Sequence, residues 1–221
     1  MKRILLLTAL IVSINLAGQG VKIGINFDPV ISWFSPNTKL IDKDGSKLGF
    51  SGGLMLETAF QKNYIFATGI NLAYMGGNIL YNEATNFTVD ENINVLLDSA
   101  TTVEYTLQYI SIPLSLKLKT NAVGYISYFG QLGLTPQFNV SAKATSTKST
   151  SGNMLDKDNV GKEIGLFNLS FFIGGGIDYD LGGTTALNLG IFYNNGFIDQ
   201  LSSETHKASL KYVSLRLGVM F

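Results

Sequence analysis

The chain has 221 residues, of which 46% are hydrophobic and only 14% are charged, and its formal net charge is zero. Soluble domains carry about 25% charged residues and nucleic-acid-binding domains are usually basic, so the composition argues against both classes. Cysteine is absent, which excludes disulfides, thiolate metal sites, catalytic thiols and a lipidated N-terminal cysteine.

Residues 1–20 have the pattern of a secretory signal peptide. Lys2 and Arg3 form a charged start, an apolar core of roughly ten residues follows, and small residues suited to cleavage lie close to Gly20. The apolar core is shorter than the ~20 residues that a membrane helix needs, so an uncleaved anchor is the less favoured alternative. The expected mature chain, 21–221, has 14 basic and 16 acidic residues and therefore a net charge of −2.

Eight segments of the mature chain alternate between apolar and small or polar residues with a period of two, which predicts β-strands. The predicted strands are 21–33, 48–60, 64–74, 104–119, 124–140, 163–180, 185–195 and 207–221. In the fourth strand Tyr105, Leu107 and Tyr109 fall on the face opposite to that of the apolar residues that follow them. This change of face predicts either a bulge near Tyr109 or inward aromatic side chains at one mouth. An extra hairpin or short helix is expected near 93–97.

The connections between these strands alternate strictly between long and short. This alternation is typical of outer-membrane barrels, which have short turns on one side and long loops on the other. The predicted fold class is therefore all-β, an eight-stranded antiparallel up-and-down transmembrane β-barrel over 21–221. An even number of strands places both termini on the short-turn side, which we expect to be the periplasm.

The apolar face of the predicted strands carries aromatic residues near both strand ends, as expected where rings meet lipid headgroups. One belt is Phe60, Tyr64, Tyr179 and Phe221, and the other is Trp33, Phe50, Tyr74 and Tyr193. A soluble lipocalin-like barrel would turn this face inward. It is disfavoured because the second face is rich in Gly, Ser and Asn, which suits a crowded interior. Phe221 ends the last strand on the lipid face and is the predicted assembly signal.

Five charged residues fall on the inward face, in the half of the strands nearest the short turns. They are Lys22, Glu57, Lys117, Asp178 and Arg216. Either they neutralise one another and plug the barrel, or they form an ion or proton path; the plug is favoured because side chains fill an eight-stranded interior. At a strand tilt of ~45° each residue climbs about 2.4 Å. Glu57 and Arg216 should thus share one ionic network flanked by Lys22, with Asp178 and Lys117 forming a second pair.

His206 is the single histidine and follows Ser202, Ser203 and Glu204. A lipid-modifying barrel enzyme would place Ser, His and an acid near the outer rim. A Ser-rich polar loop explains the same residues without chemistry and is the favoured interpretation.

Three further motifs predict structure rather than chemistry. The acidic segments 42–45 and 156–158 begin like calcium loops but lack the remaining ligand spacing and the closing Glu, so turns are predicted. Gly174, Gly175 and Gly176 have no following Lys-Ser/Thr and are expected to relieve crowding within a strand. No catalytic, cofactor-binding or metal site is predicted.

The stretch YISIPL at 109–114 with the following Leu116 and Lys117, the strand FIGGGIDY at 172–179 and the terminal LRLGVMF resemble the PorT-like outer-membrane β-barrel family. The resemblance covers nearly the whole mature chain and implies an eight-stranded barrel without known catalytic residues. The founding member of that family is implicated in type IX protein secretion. By analogy alone, the resemblance implies an accessory role in secretion, with secretion-system proteins as partners.

The sequence thus predicts a non-enzymatic protein of the outer membrane with a filled lumen that acts through its long loops. Its expected partners are outer-membrane lipid and, during insertion, the barrel assembly machinery; no nucleic acid and no cofactor are expected. A barrel that transports small solutes or ions and a lipid-modifying enzyme remain the alternatives.

Overall fold

The computed structural model describes residues 20–89, 93–146, 154–201 and 205–221. The strands within these ranges are β1 (Val21–Pro36), β2 (Ile41–Gln61), β3 (Tyr64–Tyr81), β4 (Thr85–Val89), β5 (Ile93–Leu97), β6 (Thr101–Ser111), β7 (Leu114–Lys119), β8 (Ile126–Ser146), β9 (Asp156–Asn159), β10 (Phe167–Gly182), β11 (Thr185–Asp199) and β12 (Ala208–Met220). The 3₁₀ turn Gly161–Glu163 follows β9. Among the described residues, no helix is long and apolar enough to cross a membrane. The predicted signal peptide, 1–20, lies outside the described residues except for Gly20.

The strands form one antiparallel ring in the order β10, β11, β12, β1, β2, β3, β6 with β7, and β8, and β8 closes the ring on β10. Strands β6 and β7 both pair with β3 and with β8, so together they make one wall strand. That strand is interrupted at Pro113, which has no backbone N–H to donate to a neighbour. The wall therefore has eight strands, as the sequence predicts.

The parity break in the fourth predicted strand arises from inward aromatic side chains. Tyr105, Leu107 and Tyr109 are all fully buried inside the barrel. The bulge lies on the neighbouring strand instead, since Gln108 pairs with Ser141 whereas Tyr109 pairs with Asn139, which leaves an extra residue on β8.

The outer surface of the ring is apolar over most of its height. Both predicted aromatic belts lie on it: Phe60 and Phe221 are each 55% exposed at one rim, and Phe50 is 45% exposed toward the other. The second face points inward and is rich in small and polar residues. This polarity, apolar outside and polar inside, is the one expected of a barrel surrounded by lipid.

Several strands continue past their predicted ends on the long-loop side. Residues 41–47, 75–81 and 141–146 are strand rather than loop. The predicted turn at 42–45 is instead a part of β2 in which the register with β3 shifts between Lys43 and Gly45. The polarity of the wall is inverted here, because Ile79 is buried inside while Lys43 is exposed outside. A wall that leaves the lipid faces water, so its apolar residues turn inward.

The loop end of the lumen is closed by an apolar core. The β4–β5 hairpin, which confirms the extra hairpin expected near 93–97, is antiparallel and contributes Phe87, Val89 and Leu97 to this core. The long connections add Leu155, Val160, Ile164 and Leu201, and the wall adds residues such as Phe34, Met75 and Tyr105. The segment 156–158, predicted as a turn, belongs to β9, which pairs with β8.

Candidate functional site

A cluster of ionic side chains crosses the other half of the lumen, near the rim where the short turns lie (below, the terminal rim). Lys117 on β7 has no exposed surface, and its Nζ lies 2.7 Å from Glu57 Oε1 on β2 and 3.0 Å from Asp178 Oδ2 on β10. Strands β2 and β10 are four positions apart in a ring of eight, so they form opposite walls. Lys117 therefore joins the two walls through the middle of the barrel.

Asp178 is shared by three donors. Besides Lys117, Lys119 Nζ lies 2.9 Å from its Oδ2, and Asn188 Nδ2 donates to its Oδ1 at 2.6 Å. Lys117 also lies 4.4 Å from the centre of the Phe129 ring. Two lysines and two carboxylates make the cluster neutral, which is the condition under which buried charges are tolerated.

A second ion pair lies deeper in the lumen. Arg216 on β12 places Nε and Nη2 each 3.4 Å from Asp28 Oδ2 on the adjacent β1. The guanidinium also lies 4.4 Å from the centre of the Phe192 ring, so it is held against an aromatic face. Asp28 is buried in the lumen but is not among the five charges predicted for the interior.

The five charges predicted for the interior have different surroundings from those expected. Glu57 and Arg216 line the same small cavity, yet the prediction that they share one ionic network is wrong, because each has a different partner, Lys117 and Asp28 respectively. Lys22 lies opposite Glu57 in the register but is exposed at the rim. Lys117 and Asp178 do lie together.

Lys119 was missed, although it shares the inward parity of Lys117 and could have been found by that signal. The pairing of Glu57 was missed for a different reason. Strand tilt gives the height of a residue, but it does not say which of several long side chains at one height reaches a given carboxylate.

Neutral polar side chains fill the space around the ion pairs. Gln131 donates to Ser115 Oγ at 2.7 Å, and Asn168 donates to Gln137 Oε1 at 2.8 Å. The cavities that remain beside Arg216 have volumes of about 40 and 10 Å³. A site needs about 10–15 Å³ of such space to accommodate one water molecule, so these cavities have room for a few isolated waters at most.

A third group of titratable residues lies at the loop end. The His206 ring packs 5.1 Å from the Tyr81 ring, and Tyr81 shares a 2.6 Å hydrogen bond with the Tyr105 hydroxyl. Glu163 accepts a hydrogen bond from the backbone N–H of Thr88 at 3.0 Å and so holds the β4–β5 hairpin in place. Burial lowers the pKa of His206, while nearby acidic groups oppose that shift. Ser202, Ser203 and Glu204 lie outside the described residues.

In the part of the chain that the structure describes, no group of three or more His, Asp or Glu side chains is placed to hold a metal ion. The chemistry that the described interior offers is therefore ionic and hydrogen-bonded cross-linking of the wall.

Comparison with known proteins gives a family match and several similar structures. A family model for the outer membrane protein beta-barrel domain matches residues 15–202, and no curated protein matches the sequence. Neisserial surface protein A is 14% identical, with 91% of this chain and 97% of that chain covered and a TM-score of 0.47. The outer membrane protease OmpT from Escherichia coli is 7% identical, with coverage of 95% and 99% and a TM-score of 0.48. OprG from Pseudomonas aeruginosa is 14% identical, with coverage of 91% and 94% and a TM-score of 0.39.

Proposed function

Because the chain belongs to the outer membrane protein beta-barrel domain family, we propose that it is a non-enzymatic outer-membrane protein that acts through its long loops around a closed lumen. The observation that carries this proposal is the filling of the lumen from one end to the other. The loop end would face the cell exterior and the terminal rim the periplasm.

Different side chains close the two halves of the lumen. An apolar core that includes Phe34, Tyr105 and Leu107, all fully buried, fills the loop half. In the terminal half, Lys117 bridges Glu57 and Asp178 across the barrel. A solute would have to separate these groups, and breaking a buried ion pair costs about 3–5 kcal/mol.

Conductance in planar lipid bilayers tests the closed lumen. The folded protein should insert without producing a stable pore. The heat-dependent shift in gel mobility that folded barrels show is measured on the same preparation. It verifies that the barrel is folded, so that the absence of current cannot be confused with failed insertion. A reproducible single-channel conductance would overturn the proposal and support the transport alternative.

The non-enzymatic part of the proposal is supported by the position of His206. Its side chain is mostly buried and packs on Tyr81, at the edge of the apolar core. A cell that produces the His206→Ala variant should have the same membrane lipid composition as one that produces the wild-type protein. A reproducible change in lipid acylation or headgroup content would instead support a lipid-modifying enzyme.

An accessory role in type IX protein secretion belongs to the proposal through the resemblance to the PorT-like family. The surface available to a partner includes the β4–β5 hairpin, where Ile93 is 59% and Leu96 is 46% exposed. Deleting the gene should reduce the delivery of secreted cargo to the cell surface, and the double variant Ile93→Ser/Leu96→Ser should do so partly. Lys43→Ser on the outer side of β2 is the matched control. Normal secretion in the deletion strain would contradict this role.

A further inference from the structure

A pocket opens at the loop end of the barrel, where the β1–β2, β3–β4 and β11–β12 connections meet. Its volume is about 320 Å³, within the range of about 300–1,000 Å³ that ligand pockets occupy. Glu83, Asn86 and His206 are among the residues that line it. A smaller cavity of about 30 Å³ adjoins the pocket, because Asn86 and His206 line both, and Glu163 lines the smaller one.

The charge around this pocket is negative. Burial lowers the pKa of His206, whereas the negative charges of Glu83 and Glu163 oppose that shift, so both carboxylates lie close to the imidazole. Over the described ranges of the chain, no lysine or arginine nitrogen lies within 4.0 Å of either carboxylate. Lys39 and Lys207 adjoin lining residues in the sequence, but neither of them lines the two cavities.

The two carboxylates differ in their hydrogen bonds. Glu163 accepts the backbone N–H of Thr88 through Oε1. The Glu83 side chain, in contrast, accepts no hydrogen bond from any residue that the structure describes. Glu83 is exposed to solvent, so its carboxylate is the group that a ligand in the larger pocket would meet.

An apolar surface adjoins the pocket. Asn86 pairs with Leu96 across the β4–β5 hairpin, and directly opposite residues of an antiparallel pair lie on one face, about 4.5–5.5 Å apart. Leu96 is 46% exposed, and Ile93 on the same strand is 59% exposed. The acidic pocket and the apolar hairpin therefore form one continuous surface.

We infer that this surface binds a lysine side chain of a partner protein, with the ammonium group at Glu83 and an apolar residue of the same partner on Leu96. A carboxylate without an ionic partner attracts a positive group, and the long apolar stem of a lysine carries its charge into a pocket while the backbone stays outside. A polypeptide can cover the pocket and the hairpin together, which a free amine cannot. The inference rests on the proposed action through the long loops and names the chemistry of the partner.

The NMR signal of His206 tests the pocket, because this residue is the single histidine of the chain. Protein labelled with ¹³C-histidine is folded in lipid nanodiscs and titrated with the peptide acetyl-Lys-Gly-Leu-amide. A second peptide with norleucine in place of lysine tests the need for charge, and n-butylamine tests a free amine as the ligand. The lysine peptide should shift the signal saturably and bind at least about tenfold more tightly than either comparison compound.

Variants locate the two contacts. Glu83→Gln should weaken binding of the lysine peptide about tenfold. Asp158→Asn, which removes a carboxylate of β9 that does not line the pocket, should leave the affinity unchanged. Leu96→Ser should weaken binding of the peptide but not the weaker binding of butylamine. The heat-dependent shift in gel mobility verifies that each variant is folded.

Three results would count against this inference. Equal affinity for the lysine and norleucine peptides, or wild-type affinity in Glu83→Gln, overturns the ammonium site. Equal affinity for butylamine and the lysine peptide overturns the polypeptide partner. Conductance and secretion are measured separately from peptide binding, so a failure of the proposed function can be distinguished from a failure of this site.

Discussion

Replacing Lys117 by Met should be among the most damaging single changes in the lumen. Methionine is unbranched and nearly as long as lysine but carries no charge, which leaves Glu57 without its 2.7 Å partner and Asp178 with Lys119 and Asn188. Lys117 has no exposed surface and the Glu57 side chain is only 11% exposed, so little water can reach the carboxylate to replace the missing contact. Removal of one partner from a buried pair typically costs about 3–5 kcal/mol, and we expect a loss in this range.

A double-mutant cycle separates this pair from the rest of the interior. Glu57→Gln together with Lys117→Met should cost less than the sum of the single changes, by about 0.5–3 kcal/mol. Glu57→Gln with Arg216→Met should show a clearly smaller interaction energy, because Arg216 has its own partner in Asp28. The measurement is urea unfolding of the barrel in lipid vesicles, followed by gel mobility without boiling. Additive losses for Glu57 and Lys117, or a stronger coupling between Glu57 and Arg216, would refute the assignment.

Three further predictions concern membrane residence, assembly and the loop end. The wild-type protein should fractionate with the outer membrane and run differently on a gel with and without boiling; a soluble periplasmic monomer would contradict the transmembrane assignment. Phe221 is 55% exposed and its N–H donates to the carbonyl of Ile23, so Phe221→Asp should lower the folded fraction in the membrane, while a polar insertion at 147–153 should not. Burial lowers the pKa of His206, so the unfolded state binds the proton more readily. The loop end should therefore be most stable above the ordinary pKa of 6.5 and lose stability as the pH falls through that value; hydrogen exchange of β4–β5 measures this loss, and His206→Phe should abolish it.

The architecture could be predicted from the sequence because alternation with a period of two reports directly which face of a strand meets lipid. The same alternation located every wall strand and placed Glu57, Lys117 and Asp178 inside. Its limit is visible at residues 41–47 and 141–146, where polar residues predicted loops but the structure has strands. There the wall has left the lipid, and a strand with a polar outer face resembles a loop by composition.

The pairing of the interior charges required information that a single sequence does not contain. Glu57 is two wall strands away from Lys117, and the distance between their side chains depends on the curvature of the barrel and on how far each chain extends. Asp28 next to Asn26 on strand one could have been included by parity alone. It was missed because it lies outside the half of the strand nearest the short turns, to which the five predicted charges belong.

The inversion of polarity within β6 explains why the two halves of the lumen are filled by different chemistry. Glu104 and Gln108 point outward where Tyr105 and Tyr109 point in, while one residue further Ile110 is exposed outside and Ser111 is buried inside. Where the wall meets water, burying aromatic side chains in the lumen is favoured by the hydrophobic effect. Where the wall meets lipid, an apolar side chain gains little by moving inward, because the surroundings are already apolar. Charged and amide groups, by contrast, are unfavourable on a lipid-facing surface, so they lie in the lumen and must pair there. The apolar core thus fills the part of the lumen where the wall meets water, and the ionic cluster fills the part where the wall meets lipid. Both close the lumen.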